Sequence, residues 1–106
     1  MAPPVNPPTV TDYLVDQMPG GPINMNGSVV DVEGSNLATV QKVQFYYLAG
    51  ERPADEPFYE KAVTPGTDTS FSPGTLNCET VDDSSGFFRV VTAGGESEFI
   101  ACSYAM

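Results

Sequence analysis

The chain has 106 residues, 41% of them hydrophobic, and its fourteen Asp and Glu against four Lys and Arg give a net charge of −10. That length suits one domain able to bury its own core without a cofactor, and the negative charge opposes nucleic-acid phosphate and anionic membrane surfaces. There is no His, so the commonest general base and transition-metal ligand is missing, and two Cys cannot complete a four-ligand zinc site.

The cations Lys42, Arg52, Lys61 and Arg89 are too scattered to form a basic patch. The acidity reads first as solubility, and second as complementarity to a basic partner or adaptation to a salty medium. No eighteen-residue apolar run is present, and the N-terminus has neither a basic nor an apolar signal region. The expectation is a chain kept inside the cell, or a fragment of something exported. Ten Gly, ten Pro and short runs of β-branched and aromatic residues favour an all-β fold.

Residues 1–22 form a proline-rich arm and first-strand region, distinct from a sandwich over 23–106. Six of the ten prolines are here, and Pro3, Pro4, Pro7 and Pro8 predict an extended segment. Such a segment is either a loose terminus or an arm that docks on a partner at low entropic cost. Thr9–Met18 is a candidate first strand carrying Val10, Tyr13 and Leu14, which belongs either to the arm or to the sandwich. As part of an arm, residues 1–18 are expected to be removable without loss of the fold.

Pro19-Gly20-Gly21-Pro22 is a strong turn signal, and Asn26-Gly27 predicts a second turn. Asn26-Gly27-Ser28 also fits the glycosylation pattern but reads as that turn. The organising strand is Gly27–Glu33, with Val30 and Val32 on the buried face and Asp31 and Glu33 on the wet one. Gly34 is expected to end it at a bulge or a positive φ, and Leu37 to fold back onto the core.

Val40–Leu48 predicts the second clear strand, with Val43, Phe45 and Tyr47 on one face and Lys42, Gln44 and Tyr46 on the other. Ala49–Pro57 is a charged loop. Phe58–Val63 is a short edge strand, whose Phe58 and Tyr59 either cap the core edge or face a partner. Thr64–Gly74 reads as loop, Thr75–Val81 as a strand with Leu76 and Cys78 on one face, and Asp82–Gly86 as a turn. Phe87–Thr92 follows as a strand, Gly94-Gly95 as a hairpin turn, and Ser97–Tyr104 as the closing strand. Short strands separated by turns every eight to twelve residues make a β-sandwich.

No pair of carboxylates is marked for acid–base chemistry, and the serines have no His to activate them. Asp82 and Asp83, and Asp31 and Glu33, lack the spacing of a calcium loop and read as polar surface. The sequence therefore predicts no enzyme, no metal and no cofactor.

The turn at Pro19–Pro22, the run Val30, Val32, Gly34, Asn36 and Leu37, and the pair Val43 and Phe45 resemble the IPT/TIG family of immunoglobulin-like domains. So does the ending Phe88-Arg89-Val90-Val91-Thr92-Ala93-Gly94-Gly95-Glu96-Ser97 with Phe99 and Tyr104. The resemblance covers roughly residues 9–105. It implies an Ig-like antiparallel β-sandwich of about seven strands, with no catalytic residues to carry over. The insert at Glu51–Phe58, the proline arm and the two cysteines depart from the pattern. The family's topology implies that Cys78 and Cys102 lie in opposite sheets, either bridged across the core, which would stabilise by about 3 kcal/mol, or buried as thiols.

The resemblance further implies a binding or spacer module. Ig-like domains recur on phage particles, and the Met-Ala start suggests a whole one-domain protein. The leading expectation is a virion protein, a capsid decoration or tail accessory, that binds a major capsid or other virion protein. Pro3, Pro4, Pro7, Pro8, Tyr13, Phe58 and Tyr59 are its candidate contacts. The alternative is a spacer or carbohydrate-binding domain of a larger extracellular surface protein or polysaccharide-active enzyme, with Tyr46, Phe58 and Tyr59 as candidate sugar platforms.

Overall fold

The computed structural model describes residues 6–78 and 84–105, except the side chains of Asn26, Ser28 and Ser84. The fold is an all-β, Ig-like antiparallel sandwich. Its longer strands are β1 (Thr9–Val15), β4 (Asn26–Ser35), β5 (Val40–Ala49), β7 (Tyr59–Ala62), β8 (Ser70–Asn77), β9 (Ser84–Thr92) and β11 (Ile100–Ala105). Two-residue strands add to their edges: β2 (Met18–Pro19), β3 (Ile23–Asn24), β6 (Arg52–Pro53) and β10 (Gly95–Glu96). One sheet has the order β2-β1-β4-β8. The other runs β3-β11-β9-β5-β6, with β7 also on β5 and β10 on β9.

The alternation in β4 does what its pattern requires, burying Val30 and Val32 and leaving Glu33 exposed. Within the other sheet, Val43 and Phe45 of β5 pair with Val90 and Phe88 of β9 in direct register, and all four are buried. Leu37 is fully buried after the turn. The left-handed residue of that turn is Asn36, with φ 59°, rather than Gly34. Gly34 stands instead opposite the irregularity between Val10 and Asp12 of β1, and a Cβ there would overlap the Thr9 carbonyl, so only glycine admits β1 at this distance.

β1 belongs to the sandwich. It pairs with β4 from Thr9↔Ser35 to Val15↔Val30, and Tyr13 and Val15 are core residues. The boundary expected at Ile23 therefore moves back to Thr9, and a deletion through Met18 would remove a core strand. The turn expected at Asn26-Gly27 is instead an irregular start to β4, with Gly27 at φ 141° and a register shift before Val29. Part of the loop expected over Thr64–Gly74 is strand. β8 begins at Ser70 and tolerates Pro73 because it is the edge strand of its sheet, with Gly74 at φ 78° where the ladder shifts. Ser84, Ser85 and Gly86 likewise belong to β9, and the rest of the turn expected there, Asp82 and Asp83, lies outside the described residues, as does Val81.

The Pro19–Pro22 segment carries the chain from one sheet to the other. β2 extends the edge of β1, Gly20 turns with φ 66°, and β3 then pairs parallel with the end of β11. Below this crossover the Tyr104 ring lies over Gly86, where a Cβ would overlap both the ring and the Tyr46 carbonyl. The Tyr104 hydroxyl reaches the carbonyl oxygens of Tyr46 at 3.0 Å and Phe87 at 2.8 Å, tying β11 to β5 and β9.

Candidate docking site

The structure separates the residues singled out from the sequence. Pro3 and Pro4 lie outside the described residues. Pro7 is exposed, and its carbonyl accepts a hydrogen bond from Asn36 Nδ2 at 3.3 Å. Pro8 is buried. Tyr13 is only 8% exposed, and its ring meets Phe88 edge-on at 5.1 Å, so it packs the core and offers nothing to a partner.

Phe58 and Tyr59 cap the core edge. The Phe58 ring stacks on Tyr47 at 4.0 Å and meets Tyr104 edge-on at 5.1 Å. The Tyr59 ring lies 5.8 Å from Phe45, and its hydroxyl accepts the Asn77 N–H at 3.3 Å. Both are half-buried and stand at the opposite end of the sandwich from Pro7.

Cys78 follows β8 and Cys102 sits on β11, in opposite sheets, and both are thiols rather than a bridge. Burial pushes the Cys102 thiol up to about 11, a hydrogen bond with Tyr104 opposing the shift. Burial, and then the neighbouring Cys102, also raise Tyr104 and Tyr13. These groups are proton-bearing core members at neutral pH. Among the described residues no three Cys, Asp or Glu side chains converge as a metal ion needs.

Pro7 and Pro8 are brought instead to a cleft of about 340 Å3 at the upper end of the seam between the sheets. Thr9 and Val10 of β1 form one wall, and Glu96, Glu98 and Ile100 form the other. Val10 and Ile100 pack on the core yet remain partly exposed. Glu96 is held by Arg89 at 3.1 Å. The exposed carboxylate of Glu98 has no partner among the described residues.

A second built surface covers the outer face of β5 and β9. Gln44 Oε1 accepts from Arg89 Nε at 2.7 Å and from the Tyr46 hydroxyl at 3.2 Å, and Gln44 Nε2 donates to Glu60 at 2.6 Å. That hydrogen bond, with Lys42 beside it, lowers the Glu60 carboxyl below its ordinary value. The Arg89 guanidinium lies 5.3 Å from the Tyr46 ring centre and 4.9 Å from that of Phe99. Phe99 and Arg89 thereby reduce Tyr46, on the face it shares with Lys42 and Gln44, to 3% exposure, while Phe99 itself is 39% exposed.

Sequence reasoning missed Glu98, Ile100 and Phe99 as surface-forming residues. One signal was available: Ile100, Cys102 and Tyr104 alternate inward, so Phe99 falls on the outer phase. Compared with protein-family models and with curated proteins, the chain matches none of them.

Proposed function

We propose that the chain is a non-enzymatic docking module, an IPT/TIG-type virion protein of the decorating or tail-accessory kind that seats against a neighbouring virion protein. The supporting observation is the placement of Pro7 and Pro8. The Pro7 carbonyl accepts from Asn36 and both prolines line the upper cleft, so this part of the arm is held against one end of the sandwich. Repetition of one weak contact over a lattice gives avidity. The acidic chain fits a basic protein surface and disfavours nucleic acid.

The test is co-expression with the shell and tail proteins of the same genome, followed by sedimentation of the assembled particles. A chain beginning at Asn6 retains β1 and its core residues, so its melting temperature is expected to stay within about 2 °C. Its occupancy on particles is expected to be lost. Full occupancy by this shortened chain rejects the arm as the docking element.

A second reading, a spacer domain of a larger surface protein, is favoured by one observation. Pro7 stands at the upper end of the sandwich, beside Asn36, while Ala105 pairs with Asn24 at the lower end. Further domains encoded on both sides of this chain would favour the spacer. The carbohydrate version has less support, because Tyr46, Phe58 and Tyr59 are covered or half-covered.

A further inference from the structure

Among the described residues, strand pairing closes only the lower half of the seam. β2 covers the outer edge of β1 at Leu14 and Val15, and β3 covers that of β11 at Tyr104 and Ala105. Above them, among the described residues, no strand pairs with the outer edge of β1 over residues 9–12 or of β11 over residues 100–103. An open edge presents backbone N–H and C=O groups ready to accept a further strand. The acidic cleft lies between the upper ends of these two strands.

We infer that the upper seam receives an extended segment of the partner protein, with alternating apolar and basic residues, added as a strand along residues 100–103 of β11. This deepens the docking reading and rests on it. Backbone pairing along β11 supplies the hydrogen bonds, as β3 does lower down within the same chain. Apolar side chains of the segment cover Val10, Ile100 and Pro8, which line the cleft. Its basic side chains face Glu98, whose carboxylate is unpaired among the described residues, and the exposed Asp12 on the neighbouring edge. Glu96 contributes less, because Arg89 already holds it. An acidic segment would be repelled by the wall and by the net charge of −10.

The experiment titrates the ¹⁵N-labelled full chain with an acetylated, amidated Lys-Val-Lys-Val-Lys-Val peptide, and separately with Glu-Val-Glu-Val-Glu-Val. The basic peptide is expected to shift amides within residues 9–12 and 98–103 and to slow exchange along 100–103. The acidic peptide is expected to shift none of them. Glu98→Lys should keep the rest of the spectrum and bind the basic peptide at least about threefold more weakly, the effect of reversing an exposed charge. The inference is overturned by no shifts at millimolar peptide, by shifts elsewhere, by equal response to both peptides, or by undiminished binding to Glu98→Lys. Any of these leaves particle docking to be judged by sedimentation, so the two readings fail separately.

Discussion

At the lower end of the seam β3 lies along Tyr104 and Ala105, and the Tyr104 ring spans Gly86 to reach two carbonyl oxygens. At the upper end β1 and β11 run to Thr9 and Ile100 with no third strand between them among the described residues. Both halves are edges of the same two sheets, and an uncovered edge invites association. Below, the chain spends Pro19–Pro22 and an aromatic lock on closing the edge. Above, it leaves proline, two glutamates and two half-covered aliphatic side chains. Among the described residues, the lower half of the seam is thus closed by strand pairing and the upper half is not.

The strongest way to break this comparison is at Gly86. A methyl group there meets the Tyr46 carbonyl and the Tyr104 ring, neither of which has room to move within the β5–β9–β11 ladder. Gly86→Ala is expected to destabilise by about 3 kcal/mol, the upper range of overpacking a core. Urea unfolding measures it, and a loss under about 1 kcal/mol would mean that the Tyr104 lock is not what holds the lower end.

Alkaline titration reads the same lock by another route. The folded Cys102 thiol keeps its proton up to about 11, against 9.0 when unperturbed. The neutral thiol's contribution is therefore whole below about pH 9 and is lost as pH rises through about 11. Two pH units correspond to about 3 kcal/mol at most. The raised Tyr104 and Tyr13 act in the same direction at higher pH. Stability is expected to be flat from pH 7 to 8.5 and to fall above pH 9, with a shallower fall in Cys102→Ala. Stability unchanged to pH 10.5 would show that water reaches the thiol.

The sequence reveals local periodicity and conceals what distant segments do to it. The alternation of Val30 with Val32 marks a buried face because neighbouring residues alone set that pattern, whereas Phe88 and Val90 share their strand with an equally apolar phase, Phe87 and Val91, and only the fold shows which is buried. Gln44 and Tyr46 follow the same rule outward, yet they are buried because Arg89 and Phe99, more than forty residues on, lie over them. Tyr13 looked available beside the prolines, but the pairing of β1 with β4 turns it inward. Pro73 and Gly74 read as loop, and only an edge position reconciles them with a strand. The upper cleft combines Pro8 and Val10 with Glu98 and Ile100 across almost the whole chain. No spacing rule finds such a site, because it exists only once β1 and β11 flank one seam.

The smallest expected effect sharpens the comparison from the upper side. Glu98 is exposed, its carboxylate has no partner among the described residues, and it stands in a chain of net charge −10. Glu98→Lys removes no contact and relieves a little self-repulsion, so its unfolding free energy is expected within about 0.5 kcal/mol of the parent, on the stabilising side at low salt. Thermal melts at low and at 0.5 M salt separate the charge effect from packing, because only the former is screened. A loss above about 1 kcal/mol that persists in salt would mean that Glu98 holds the upper end together. A neutral result, beside the large loss expected at Gly86, means that Glu98 does not hold the upper end of the fold together.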